Sequence, residues 1–188
     1  MPTLILASKS PRRAELLRQI GLEFQIKSDG AKEIFDEQLS PYELCQLNAH
    51  RKARSIAKKF PDCLVIGADT LVFLGRKIFG KPKNLKEAKE MLSQLQGKTH
   101  QVVTGVSLIH QRMHREKMFA VGTNVTFHSL GEDQILNYLK KIDPLDKAGG
   151  YAIQEHGTLI VSEISGSFSN VVGLPLDELR VELNAWTA

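Results

Sequence analysis

The sequence predicts an α/β or α+β fold built on a mixed sheet, and three observations predict it. Short apolar runs, Leu4–Ala7 and Cys63–Ala68, have the length and composition of buried strands and are each joined to amphipathic helical segments. Two longer segments, roughly 100–110 and 117–128, alternate apolar and polar residues as paired antiparallel strands do. Strands and helices intermix from end to end, with no repeat, low-complexity stretch or linker, so residues 1–188 are expected to form one domain.

Composition narrows the classes. With 42% hydrophobic and 24% charged residues the chain can bury an ordinary core, and no apolar run reaches the length of a membrane helix. The first residues lack the basic-then-apolar pattern of a secretory signal, and Cys45 and Cys63 are isolated. A reducing cytoplasmic setting with two buried or half-buried thiols is therefore expected. The formal net charge of +4 suits an anionic partner but is common among cytosolic proteins.

Taken in order, Leu4–Ala7 is a short buried strand. A helix follows from Pro11 to about Ile20, capped by Ser10, with Leu16, Leu17 and Ile20 on one face and Gly21 as its stop. Phe24 and Ile26 mark a second strand, and residues 28–39 form a polar loop of the kind that carries function. Ser40-Pro41-Tyr42-Glu43 is a capping box that opens a long helix to about Lys59, with Leu44, Leu47, Ile56 and Ala57 as its apolar stripe. The Cys63–Ala68 strand ends at Asp69-Thr70, and Gly75-Arg76 turns a hairpin between Leu71–Leu74 and Lys77–Phe79. Asn84 caps a helix that ends near Gln96, before Gly97. After the paired strands, Ile135, Leu136 and Leu139 indicate a helix stopped by Asp143-Pro144. Thr158–Ile164 reads as a strand, and Pro175–Trp186 as the last helix.

The chemistry starts at the first helix. A helix N-terminus carries partial positive charge and unpaired N–H groups, so acids are preferred there. Here Lys9, Arg12 and Arg13 crowd that end instead, which suggests a phosphate or carboxylate site. Two solvated surface arginines are the alternative. Asp69 follows a buried strand, where ligands of open α/β sheets sit; a carboxylate there can hold a divalent metal or orient a water. The alternative is a turn or cap aspartate. Lys81, between Gly80 and Pro82, places a point charge in a stiff turn, suited to a phosphate or simply solvent-exposed. Lys52 lies in a basic helix run that is mostly a solvated face. The segment 146–154 surrounds Tyr151 and Gln154 with small residues, and Gly149-Gly150 permits close backbone approach. His110 and His114 would stand about 13 Å apart on a strand, too far to share a metal. All six histidines are read as non-ligands, and no P-loop or dinucleotide fingerprint is present.

Together these segments resemble the Maf family of nucleoside triphosphate pyrophosphatases, the septum formation proteins. The matching stretches are Leu6–Arg13, Lys52-Ala53, Gly67–Thr70, Gly80–Pro82, Gly97–Val102, Asp146–Gln154 and Val172–Pro175. The resemblance implies a strongly twisted mixed sheet flanked by helices, of the Maf/ITPase type, with two lobes around a central substrate cleft. It implies hydrolysis of a nucleoside triphosphate to the monophosphate and pyrophosphate, with a divalent cation, Mg²⁺ or Mn²⁺, as cofactor. Asp69 resembles the family's catalytic acid group, and Ser8, Arg13, Glu33, Lys52 and Lys81 its other polar site residues. Arg12, Thr70 and Gln154 match the subgroup that acts on dTTP and UTP rather than the one linked to 7-methyl-GTP. Three positions depart from the usual pattern: Lys32 before Glu33, Asn48 where an apolar residue is usual, and Gly150 where alanine is usual.

The residue chemistry is consistent with that activity. Arg13, Lys52 and Lys81 can neutralise a polyanionic tail, while Asp69 with Glu33 holds the metal and Asp69 activates water. A neutral amide at Gln154 can both donate to and accept from a uracil edge. The expected partner is thus a nucleoside triphosphate. No membrane or nucleic acid is expected, a homodimer is left open, and so are modified pyrimidine substrates, nucleotide-pool cleaning and a link to cell division arrest. One rival is a non-catalytic septum-associated or nucleic-acid-binding protein. The carboxylates among the candidate cations and the 6% aromatic content argue against it. A second rival, a pyrophosphatase of damaged purine nucleotides, is opposed by Arg12, Thr70 and Gln154 through the resemblance.

Overall fold

A computed structural model describes residues 2–36 and 38–186; Met1, Glu37 of the expected loop, Thr187 and Ala188 lie outside the described residues. Seven strands form one mixed sheet flanked by helices, as expected. They are β1 (Leu4–Leu6), β2 (Gln25–Ile26), β3 (Leu64–Leu74), β4 (Lys77–Phe79), β5 (Thr99–His110), β6 (Arg115–Phe127) and β7 (Val161–Ser165). Their order is β2-β1-β3-β5-β6-β7, with β4 paired to β3. The helices are α1 (Pro11–Gln19), α2 (Pro41–Ala57), α3 (Leu85–Leu95), α4 (Glu132–Leu139), α5 (Phe168–Val172) and α6 (Leu176–Ala185). The chain divides into two compact units: Met1–Asp69, Thr104–Val121 and Gly173–Ala188 form the first, Thr70–Val103 and Gly122–Val172 the second.

In the first unit β1 pairs in parallel with β2 and with β3, ending at the Leu6–Ile66 pair. Ile5, Ala7, Ala53, Ile56, Ala57, Val65 and Ile109 form its core. Helix α2 opens on the full capping box: the Ser40 hydroxyl accepts from the Glu43 amide, and the Glu43 carboxylate accepts from the Ser40 amide. This helix lies unusually close to the sheet. A Cβ at Gly67 would stand 2.3 Å from the Ala49 carbonyl oxygen, and one at Gly105 2.3 Å from the Cys45 carbonyl carbon. Both glycines are therefore required by the close approach of helix backbone to strand backbone. The helix side of that contact is a ridge of small residues four apart, Cys45, Ala49 and Ala53, all fully buried. The expected stripe needs one correction. Leu47 is exposed, because the small ridge turns the helix so that Leu44, Cys45, Asn48 and Ala49 face inward.

In the second unit, α3, α4, β4 and the lower ends of the long strands surround a core that includes Phe79, Leu92, Val102, Phe127, Tyr138 and Tyr151. The hairpin between β3 and β4 turns at Gly75-Arg76, with Gly75 at φ +60°. Asn84 caps α3 through the Glu87 amide.

Four local expectations differ from the structure. Ser10 occupies the N-cap position of α1 but makes no side-chain cap bond; its amide instead donates to the Ser8 hydroxyl at 3.2 Å. Strand β3 does not end at Asp69 but runs on to Leu74, because Leu71, Val72 and Phe73 are all buried and continue the strand. Residues 157–159 form a 3-10 turn, so β7 begins only at Val161; His156 enters that turn in the left-handed region at φ +54°. His114 lies in the turn after β5, not on the strand with His110. The short helix α5 has no counterpart in the expected element order.

Candidate active site

Six of the nine expected site residues belong to the first unit; Asp69, Lys52 and Glu33 form one hydrogen-bonded group, and Arg13 with Ser8 another whose guanidinium feels the charges of the first. Asp69 sits three residues beyond the last pair of β1 with β3, so the parallel neighbour has ended where its side chain begins its work. It is 3% exposed. Its Oδ1 accepts from the Lys52 ammonium at 2.5 Å, and the same ammonium donates to Glu33 Oε1 at 2.6 Å. One cation thus stands between two carboxylates that come from a strand and from the 27–39 loop. Lys52 reaches this point because the small ridge of α2 presses the helix onto β3. Its own row, Asn48 and Lys52, then overhangs Asp69, four residues apart on one helix face.

Asn48 completes the arrangement. Its Nδ2 donates to Asp69 Oδ2 at 3.2 Å and to the Ile34 carbonyl at 3.0 Å, while its Oδ1 accepts from the Ile34 amide at 2.8 Å. Both oxygens of Asp69 are therefore engaged, one by an ammonium and one by an amide.

Arg13 is buried rather than solvated, which rejects the surface alternative for this residue. Its Nε donates to the Gly173 carbonyl at 2.8 Å and one terminal nitrogen to the Ser8 hydroxyl at 3.2 Å. Burial lowers its pKa from the ordinary value, and the nearby charges of Asp69 and Glu33 oppose that shift. Arg12 is half-buried on the same turn, and α1 has no acid in its first turn. No acidic side chain of that turn therefore offsets the partial positive charge of the helix end.

Burial raises the pKa of Asp69 above the usual carboxylate range, Lys52 opposes the shift and Glu33 adds to it. A carboxylate made more basic in this way is suited to take a proton from water. Asp69 and Glu33 supply hard carboxylate oxygens of the kind a divalent cation takes, at a point where the Lys52 ammonium bonds both of them. Among the described residues no group of three or more His, Cys, Asp or Glu side chains is gathered. Two carboxylates alone would leave most of a divalent ion's shell to water and phosphate.

Thr70, Lys81 and Gln154 belong to the second unit. Thr70 is half-buried on β3, directly after Asp69. Lys81 is exposed in its stiff turn, whose Gly80 carbonyl accepts from the Gly149 amide at 2.9 Å. Gly149 and Gly150 both have φ near +70°, and a Cβ on Gly149 would press on Val72 and the Tyr151 ring at 3.1–3.2 Å. Tyr151 is buried, with its hydroxyl 2.7 Å from His100 Nε2 and its ring edge-on to His100 and Phe127. Tyr138 brackets Ala152: its hydroxyl donates to the carbonyl at 2.9 Å and accepts from the amide at 3.0 Å. Gln154 projects from the far end of this braced segment and is exposed.

In the sequence Asn48 stands out only as a departure from the family pattern; an amide one turn before Lys52 is the signal for its contacts. Nothing in the sequence marks His100 as the partner of Tyr151.

Comparison with known proteins follows the same lines. A family model described as Maf-like protein matches residues 3–186. A dTTP/UTP pyrophosphatase of Akkermansia muciniphila is 45% identical over 184 residues, covering 98% of this chain and 96% of that protein. One from Bacillus pumilus is 47% identical over 176 residues, covering 94% and 92%. Among solved structures, the Staphylococcus aureus Ham1 protein shares the fold at a TM-score of 0.54 and 16% identity, covering 97% of this chain and 98% of that one.

Proposed function

The chain belongs to the Maf family, and we propose that it hydrolyses dTTP and UTP to the nucleoside monophosphate and pyrophosphate. The observation that carries the reading is the Lys52 ammonium held between Asp69 and Glu33, with buried Arg13 beside them. Hydrolysis of a phosphoanhydride needs positioning and charge neutralisation more than covalent help.

Arg13 and Lys52 bind the triphosphate oxygens, with Arg12 and Ser8 at the anion-seeking end of α1. Asp69 orients the attacking water and accepts its proton at a carboxylate oxygen. Asp69 and Glu33 would hold Mg²⁺ or Mn²⁺, which when bound would neutralise charge at the α-phosphate. Gln154 pairs with the O4 and N3–H edge of uracil or thymine, and Thr70 supports the same pyrimidine preference. The chemistry extends to modified pyrimidine triphosphates and would serve nucleotide-pool cleaning in the cytoplasm. The set in the first unit is supplied by one copy of the chain. The test is pyrophosphate release from a panel of pyrimidine and purine triphosphates, with and without added Mg²⁺ or Mn²⁺. Metal-dependent release highest with dTTP and UTP is expected. No release from any nucleotide, or a preference for inosine triphosphate, contradicts the proposal.

A further inference from the structure

Asn48 is a buried amide in the middle of a helix, at 1% exposure. Asparagine is a poor helix-interior residue, and a buried amide is costly unless its bonds are made. Here its three bonds are made. The acceptor takes the Ile34 amide, and the two N–H groups go to the Ile34 carbonyl and to Asp69 Oδ2. No other side chain of this size offers one acceptor and two donors in one plane. Leucine or alanine would suit the helix and its packing but could hold neither Ile34 nor Asp69.

The two ends of the amide act on the two carboxylates of the site. Ile34 follows Glu33, so pairing both of its backbone groups to α2 anchors the loop after β2 one residue from Glu33. The second N–H fixes the carboxylate plane of Asp69, whose other oxygen is held by Lys52. Lys52 sits four residues on from Asn48, so the same helix face that anchors the loop also supplies the ammonium joining Glu33 to Asp69.

We propose that Asn48 is a positioning residue for hydrolysis: it docks the Glu33 loop onto α2 and orients Asp69 in the same set of bonds. This rests on the assignment of Asp69 and Glu33 to the reaction. The test compares Asn48→Leu and Asn48→Asp with the wild-type chain. It measures kcat and KM for UTP with Mg²⁺, and hydrogen exchange at the Ile34 amide.

Asn48→Leu should stay folded and lose kcat by about 10- to 100-fold with KM changed by less than about threefold. Its Ile34 amide should exchange at least about tenfold faster, because the bond that protects it is gone. Asn48→Asp keeps the acceptor for the Ile34 amide but loses both donors and sets a second carboxylate against Asp69. It should retain much of the Ile34 protection while losing kcat at least as strongly as Asn48→Leu.

Wild-type kcat in a folded Asn48→Leu overturns the proposal, as does a loss of thermal stability with kcat per folded molecule unchanged. Wild-type kcat in Asn48→Asp overturns the Asp69 half of it. If the wild-type chain turns over no triphosphate, the functional reading fails. The exchange arm then decides alone: slow Ile34 exchange that Asn48→Leu abolishes supports the loop anchor, and fast exchange in the wild type refutes it. The wild-type exchange rate also decides the case if neither variant folds.

Discussion

Two regions of this molecule hold a stretch of backbone in the same way and put it to different uses. In the first unit a side-chain amide, Asn48, grips both backbone groups of Ile34. In the second a side-chain hydroxyl, Tyr138, grips both backbone groups of Ala152. The first grip presents charge: Glu33 and Asp69 meet on the Lys52 ammonium, with Asp69 almost wholly buried. The second grip presents a neutral amide, Gln154, into solvent from a segment braced by a His–Tyr–Phe cluster. A carboxylate as buried as Asp69 keeps a strong field for reacting groups, whereas the exposed amide of Gln154 is neutral and open to a ligand. The rigid elements differ accordingly. Strand and helix backbones in near contact carry the charges, and a packed aromatic cluster under a 3-10 turn carries the segment of Gln154, the amide proposed to read the base.

Acid should separate the two regions most strongly. Burial pulls the pKa of His100 down to about 4, from an ordinary value near 6.5. Its second ring nitrogen, Nδ1, is buried without a hydrogen-bond partner among the described residues. The unfolded chain therefore binds a proton that the folded chain refuses between these values. Stability is fully present above pH 6.5 and falls as the pH drops toward 4, by about 3 kcal/mol for this group. His100→Gln, which cannot titrate, should lose about that much less than wild type between pH 7 and pH 4, as read by urea midpoints. Equal losses in both proteins would show that the brace does not depend on a neutral histidine.

Next in size is Tyr138→Phe, which leaves the Ala152 amide and carbonyl buried without the hydroxyl. About 2 kcal/mol of stability should be lost. The hydroxyl itself is neutral at ordinary pH, its pKa pushed up to about 12 by burial. If the tyrosine serves the reader, discrimination of UTP from purine triphosphates should weaken in the same variant, measured by kcat/KM. Unchanged discrimination would reduce Tyr138 to a core residue. The smallest effect is that of Gln154→Glu: on an exposed tip it should leave stability within about 0.5 kcal/mol. Preference for UTP and dTTP should fall about tenfold, since a carboxylate cannot donate to a pyrimidine O4. A nucleotide panel with unchanged ratios removes Gln154 from recognition.

Much of this was legible in the chain itself, and the reasons are local. The capping box at Ser40, the Asn84 cap, the Gly75-Arg76 hairpin and the Gly97 stop are short-range signals that tertiary context did not override. Glu33 and Asp69 both bond the Lys52 ammonium, and Arg13 bonds Ser8, so five positions singled out in separate motifs fall into two hydrogen-bonded groups. What was not legible depended on partners distant in sequence. Leu47 reads as part of a stripe until Gly67 and Gly105 fix how far α2 can rotate and approach. Asp69 reads as a strand end because its charge interrupts an apolar run. The strand continues because Lys52 and Asn48, from another element, satisfy that charge in place. Ser10 reads as a capping side chain, yet its amide is taken by Ser8, a residue that also binds Arg13. The short helix α5 is held by contacts such as the Asn170 amide donating to the Val102 carbonyl, nearly seventy positions away.

The most direct test of the central claim is the turnover of Asp69→Asn, assayed as pyrophosphate released from UTP with Mg²⁺ present. Asparagine keeps the shape of the side chain and an oxygen for Lys52 but cannot take a proton from water. A folded variant, verified by circular dichroism, should lose about 10²-fold or more in kcat. Pyrophosphate release within about twofold of wild type would remove Asp69 from the reaction and, with it, the role assigned to the charges gathered around it.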